Sequence, residues 1–127
     1  MTVSKSPQGI ILFAHGSRDE LWRLPIEAVA DRIQRISAET VVLCAYLELT
    51  KPDLPTTVEL MRQQSIHEIT IVPMFLGVGR HAREDLPELV RQLQQSCPDM
   101  TFTLRRAIGE EPRLTEAMAE IALSRHQ

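Results

Sequence analysis

The chain has 127 residues, room for one domain with a core of its own, and its 43% hydrophobic and 24% charged residues are the balance of a folded soluble protein. A formal charge of −3 argues against non-specific attraction to nucleic acid or anionic membranes. Three Phe, one Tyr and one Trp are too few rings for a base-stacking surface on single-stranded nucleic acid.

A short polar lead over residues 1–8 precedes the first apolar run, Ile10–Ala14. That run is too short for a signal peptide or a bilayer span, which predicts a cytoplasmic protein. Trp22, Ile26, Val29, Ile33 and Ile36 follow at helical spacing. A second apolar run, Val41–Leu47, leads to a short helix marked by Leu54, Val58 and Met61, and a third run spans Ile69–Leu76. These three runs are nearly continuous and β-branched, the pattern of parallel strands buried on both faces. Leu86, Val90, Leu93 and Cys97 mark the next helix. Thr101–Leu104 then alternates polar and apolar, as an edge strand does. Gly109 falls in a loop, Pro112 suits a first helical turn, and Leu114, Met118 and Ile121 continue the last helix. Asp53-Leu54-Pro55 and Asp85-Leu86-Pro87 echo each other, and each predicts a helix start. Cys44 and Cys97 stand 53 residues apart, with no CxxC pairing, and read as reduced packing residues.

The alternation β-α-β-α-β-α-β-α predicts a single α/β domain over residues 1–127, an open four-stranded parallel sheet flanked by helices. The expected strand order is 2-1-3-4, flavodoxin-like. Ligands of such sheets bind beyond the carboxyl ends of the strands.

His15, Glu48 and His81 are spaced by 33 residues each, about one βα unit. His15 and Glu48 therefore fall at or just past the ends of the first two strands, and His81 in the loop after the third. Two imidazoles and a carboxylate suit a divalent transition metal with open positions. His15 could equally be a strand-end polar residue, and Glu48 could pair with Lys51 or an arginine instead of a ligand. Gly16 permits close approach, and Ser17 could cap the next helix or bond the ring. Gly77-Val78-Gly79-Arg80 reads as a bent loop whose GxG lacks the rest of any phosphate-binding motif. Arg18, Lys51, Arg80 and Arg83 flank the three candidates and could gather the carboxylate arms of an anionic ligand. His67 and His126 read as surface residues.

Leu12-Phe13-Ala14-His15-Gly16-Ser17-Arg18-Asp19 resembles the first strand and turn of the small CbiX-type chelatases. So do Tyr46-Leu47-Glu48 with Pro52, and Val72-Pro73-Met74-Phe75-Leu76 running through Gly79 and His81 to Asp85-Leu86-Pro87. The resemblance covers nearly the whole chain. It implies an ATP-independent lyase that inserts a divalent metal into sirohydrochlorin on the way to cobalamin or sirohaem, with no organic cofactor. On the same resemblance, His15 and His81 bind the metal or act as bases and Glu48 assists. Longer relatives fuse two such lobes around a cleft, so a one-lobe chain is expected to pair as a homodimer. Arg80 stands where relatives often carry a small residue. The sequence does not choose the metal: Co²⁺ is favoured by resemblance, while Fe²⁺ and Ni²⁺ accept the same ligands.

Three other readings compete. Histidine phosphatases place an Arg-His-Gly after the first strand, but Ala14 occupies the arginine position here. A metal or tetrapyrrole carrier would show the same residues and differ only in turnover. An interaction module without a ligand leaves the spacing of the histidines unexplained.

Overall fold

A computed structural model describes residues 7–125; most of the polar lead and His126 lie outside them. Four strands, β1 (Gln8–Ala14), β2 (Val41–Tyr46), β3 (Glu68–Pro73) and β4 (Thr101–Leu104), alternate with α1 (Leu24–Ile36), α2 (Leu54–Gln63), α3 (Arg80–Ser96) and α4 (Pro112–Leu123). All pairings are parallel and the order is β2-β1-β3-β4, as the alternation predicts. Ala14 stands beside Tyr46, and Phe13 stands between Ala45 and Pro73. Leu47 N–H reaches Ala14 O at 2.8 Å, and Met74 N–H reaches Phe13 O at 2.7 Å. Three chain segments thus leave the sheet side by side at one end.

Strand side chains alternate between the two faces. Ile11, Phe13, Ile69 and Ile71 point into the main core, against Leu54, Val58 and Met61 of α2 and Leu86 and Leu93 of α3. α1 covers β2 and β1 on the other side, and α4 rests chiefly on a short 3-10 turn (Ile108–Glu110) before it. Neither α1 nor α4 has a buried residue. No helix among the described residues is long and apolar enough to cross a membrane.

Four details differ from the sequence reading. β2 is half-buried over most of its length, because it is an edge of the sheet and its continuous apolar run has a neighbour on one side only. Trp22 belongs to a 3-10 turn (Glu20–Arg23) that Asp19 caps through Leu21 N–H at 2.9 Å, and α1 starts only at Leu24. α3 begins six residues before Leu86, so His81 stands in its first turn and not in a loop. Asp85-Leu86-Pro87 consequently lies inside α3, where Pro87 leaves the Arg83 carbonyl without its helical donor. Asp53, by contrast, caps α2 through Thr56 N–H at 2.9 Å, and hydrogen bonding from Thr56, its side chain first and its backbone second, holds the Asp53 carboxyl below the usual carboxylate range.

Candidate active site

Gly16 brings the first two strand-end loops together. A Cβ at this position would stand 1.8 Å from Glu48 O, so only glycine lets the turn after β1 lie against the loop after β2. Thr50 laces the two loops: its Oγ accepts Ser17 N–H and donates to Ser17 O, both at 2.8 Å. Leu49 takes a left-handed φ of 63° to complete the bend, a conformation that costs a residue with a Cβ on the order of 1 kcal/mol.

The lacing sets His15 beside Glu48, with Nδ1 3.1 Å from Oε1. Glu48 is therefore paired with a histidine and not with Lys51, and its side chain is substantially exposed rather than buried at a strand end. An ionised carboxylate only accepts, so in this bond Nδ1 carries the proton and the neutral ring keeps its lone pair on Nε2. Two contacts orient the residue further. The Trp22 indole N–H donates to His15 O at 2.9 Å, and the Phe75 ring centre lies 4.7 Å from the imidazole. Phe75 is braced by Phe13, edge to face at 6.3 Å. Ser17 meets neither the ring nor a main-helix cap; its hydroxyl accepts Asp19 N–H at 3.0 Å.

His81 reaches the same place from the opposite side. It and His15 line one cavity of about 460 Å³, walled by Leu47, Phe75, Leu86 and Leu89. Arg80 and Asp85 supply the other charged groups of this lining. A second cavity of about 400 Å³ lies across His15 and Phe75, walled by Trp22, Pro25, Ile26, Met74 and Leu76. Both are mainly apolar, as suits a flat organic ligand. Glu48 stands behind His15 and lines neither. Among the described residues, no three His, Cys, Asp or Glu side chains are grouped as a metal shell.

The four candidate cations part company. Arg80 lines the cavity and pairs with Glu84 at 3.4 Å. Arg18 and Lys51 line a separate depression of about 200 Å³, and Arg83 is exposed on α3. Gly77 and Gly79 both have ordinary negative φ and open space around them, so the loop before α3 needs neither for its bend. Sequence reading missed Asp85, Trp22 and Phe75 as site residues. Asp85 becomes visible once α3 is started at Arg80, because it is then one turn from His81.

The parallel α/β sheet thus opens the strand-end imidazole of His15 and the α3 imidazole of His81 onto a shared, mainly apolar cavity. The chain belongs to the CbiX family, whose family model matches residues 9–124. It is similar to the crystal structure of a CbiX protein from Marinobacter aquaeolei VT8, at 37% identity and a TM-score of 0.80, covering 91% of this chain and 94% of that one. The sirohydrochlorin chelatase SirB from Bacillus subtilis subspecies spizizenii, solved in complex with cobalt, superposes with a TM-score of 0.74 at 26% identity. That match covers 91% of this chain but 51% of SirB. A sirohydrochlorin cobaltochelatase of Methanococcus aeolicus is 28% identical over 83 residues, 65% of this chain and 58% of that protein.

Proposed function

We propose that this protein inserts a divalent metal ion, Co²⁺ by preference, into sirohydrochlorin without ATP or an organic cofactor. The observation that carries the reading is the opening of His15 and His81 onto one apolar cavity in a chain of the CbiX family. The names of its relatives supply the substrate: cobaltochelatase for the Methanococcus protein, and a cobalt complex for SirB. Fe²⁺ and Ni²⁺ are the alternative ions.

Metal enters a tetrapyrrole only as protons leave its ring nitrogens. Imidazoles as a class titrate near ~6.5 and so can take such protons at neutral pH. His15 lines the cavity with Nε2 left as its basic nitrogen, while Glu48 holds Nδ1–H and stabilises the imidazolium that forms. A positioned base of this kind contributes about 10²–10⁴ in rate. The ion must also be surrendered, and a site of imidazole and carboxylate with open positions suits release better than a closed thiolate cage. In this reading Arg80, which lines the cavity, takes a carboxylate arm, and Arg18, Lys51 and Arg83 meet only arms that extend outside it.

The proposal includes a homodimer in which a second copy completes the cleft. Two facts support it: the chain covers 51% of SirB, and α1 and α4 leave apolar residues such as Leu24, Ile121 and Leu123 exposed.

The test is anaerobic. Purified protein is mixed with sirohydrochlorin and each ion separately, and absorbance is followed over many turnovers. His15→Ala and His81→Ala are each expected to lower the rate by about 10²–10⁴. Wild-type rates in both variants would overturn the assignment, and a single stoichiometric uptake would make the protein a carrier. Sedimentation velocity is expected to find a dimer at working concentration; a monomer with full turnover would remove the pairing.

A further inference from the structure

The two cavities that meet at His15 and Phe75 differ in chemistry. Arg80 and Asp85 line the one that His81 also lines. The other, walled by Trp22, Pro25, Ile26, Met74 and Leu76, has no lysine, arginine or carboxylate among its described lining residues. A tetrapyrrole with carboxylate arms has both kinds of surface, charged arms at its edge and a flat conjugated face. The charged cavity suits the first and the uncharged cavity the second.

Trp22 is the largest side chain of the uncharged cavity and is 55% exposed. An indole has one polar atom, and here that atom is already used: Nε1–H donates to His15 O at 2.9 Å. What remains in water is therefore apolar ring surface, which gains from being covered. The residue is also held in place. Trp22 N–H donates to Asp19 O at 3.0 Å, and the Asp19 carboxylate caps the same turn through Leu21 N–H. An aromatic side chain fixed at both backbone and ring has little conformational entropy left to lose when a ligand covers it. Its anchor is the carbonyl of His15 itself, so a ring seated on Trp22 stays beside that residue.

We infer that Trp22 is a substrate-contact residue whose indole stacks on the conjugated face of the macrocycle, in the uncharged cavity beside His15. The assignment rests on the chelatase reading and extends it: Arg80 takes a carboxylate arm, and Trp22 supplies affinity for the ring system. Trp22 thus acts on the macrocycle and not on the ion.

The experiment measures binding of metal-free sirohydrochlorin to the full chain by anaerobic equilibrium dialysis. Trp22→Ala is expected to weaken binding by about 5–150-fold, the range that loss of an aromatic ring from a stacked base produces. Trp22→Phe keeps an aromatic face without the N–H and is expected to retain most of the affinity. Trp22→Leu keeps apolar bulk without a π face and is expected to lose most of it. Wild-type affinity in Trp22→Ala or Trp22→Leu would overturn the assignment. So would equal weakening by Trp22→Phe and Trp22→Ala, which would trace the effect to the lost bond to His15. Co²⁺ affinity, measured without the macrocycle, is expected to be unchanged in every variant; a parallel loss would overturn the assignment by making the effect a collapse of the whole site. Circular dichroism of each variant checks the fold. Turnover of the wild-type protein on sirohydrochlorin is scored separately. If macrocycle binding depends on Trp22 and no turnover appears, the stacking site stands and the reaction falls; with turnover but no dependence on Trp22, only the stacking site falls.

Discussion

At His15, four neighbours act on one side chain: Glu48 holds Nδ1, Phe75 supports the ring, Trp22 ties down the carbonyl and Gly16 keeps the adjoining turn thin. Only part of this was legible in the sequence. The 33-residue spacing brought His15 and Glu48 to adjacent strand ends, because parallel pairing repeats one βα unit. The indole contact was not legible, since it depends on the 3-10 turn that carries Trp22 back over the strand end. Cys44 illustrates the opposite case, a potentially reactive group made inert. Burial, reinforced by the nearby Glu27 carboxylate, pushes its thiol up from 9.0 to about 11. A raised thiol pKa means less thiolate, which is the reactive form, so at pH 8 Cys44 carries about a hundredfold less of it than an ordinary thiol. Alkylation of Cys44 by iodoacetamide, followed by mass spectrometry, is expected to be slower by that factor or more in the native protein than in urea.

Among the elements, the strands were the most readable and the start of α3 the least. Apolar runs reveal strands because each must bury its side chains, and a 3.6-residue apolar period reveals a helix only where it packs. The first six residues of α3, Arg80–Asp85, leave Arg80, His81, Arg83, Glu84 and Asp85 exposed. They therefore show no period, and the helix announces itself only at Leu86. That displaced start is why His81 read as a loop residue and Asp85 as a cap. The loops make a sharper contrast between two glycines. Gly16→Ala would drive a methyl group into the Glu48 carbonyl and separate the two laced loops. Overpacking of this kind costs about 1–3 kcal/mol. The melting temperature is expected to fall by roughly 4–12 °C, and the proposed metal insertion is expected to fall alongside. Gly77→Ala meets nothing within 4 Å and is expected to leave stability unchanged in the same assay.

For the molecule as a whole, strand order decides what can meet. With β1 between β2 and β3, the segments carrying His15, Glu48 and His81 leave the sheet as neighbours. The 2-1-3-4 order was legible because short crossovers of one hand leave few arrangements for four parallel strands. The incomplete cover over α1 and α4 was not, because a periodic apolar stripe looks the same whether its own chain or another buries it. One residue ties this architecture to a measurement. Trp22 is the single tryptophan of the chain, stands half in solvent, and both walls a cavity and bonds to His15. All indole emission from the protein therefore originates at the mouth of the site. Arrival of a visible-absorbing macrocycle is expected to quench that emission, saturating at one ligand per occupied site. Unchanged emission through a full titration would place the macrocycle elsewhere. The fold thus carries its own optical probe, requiring no label and no mutation.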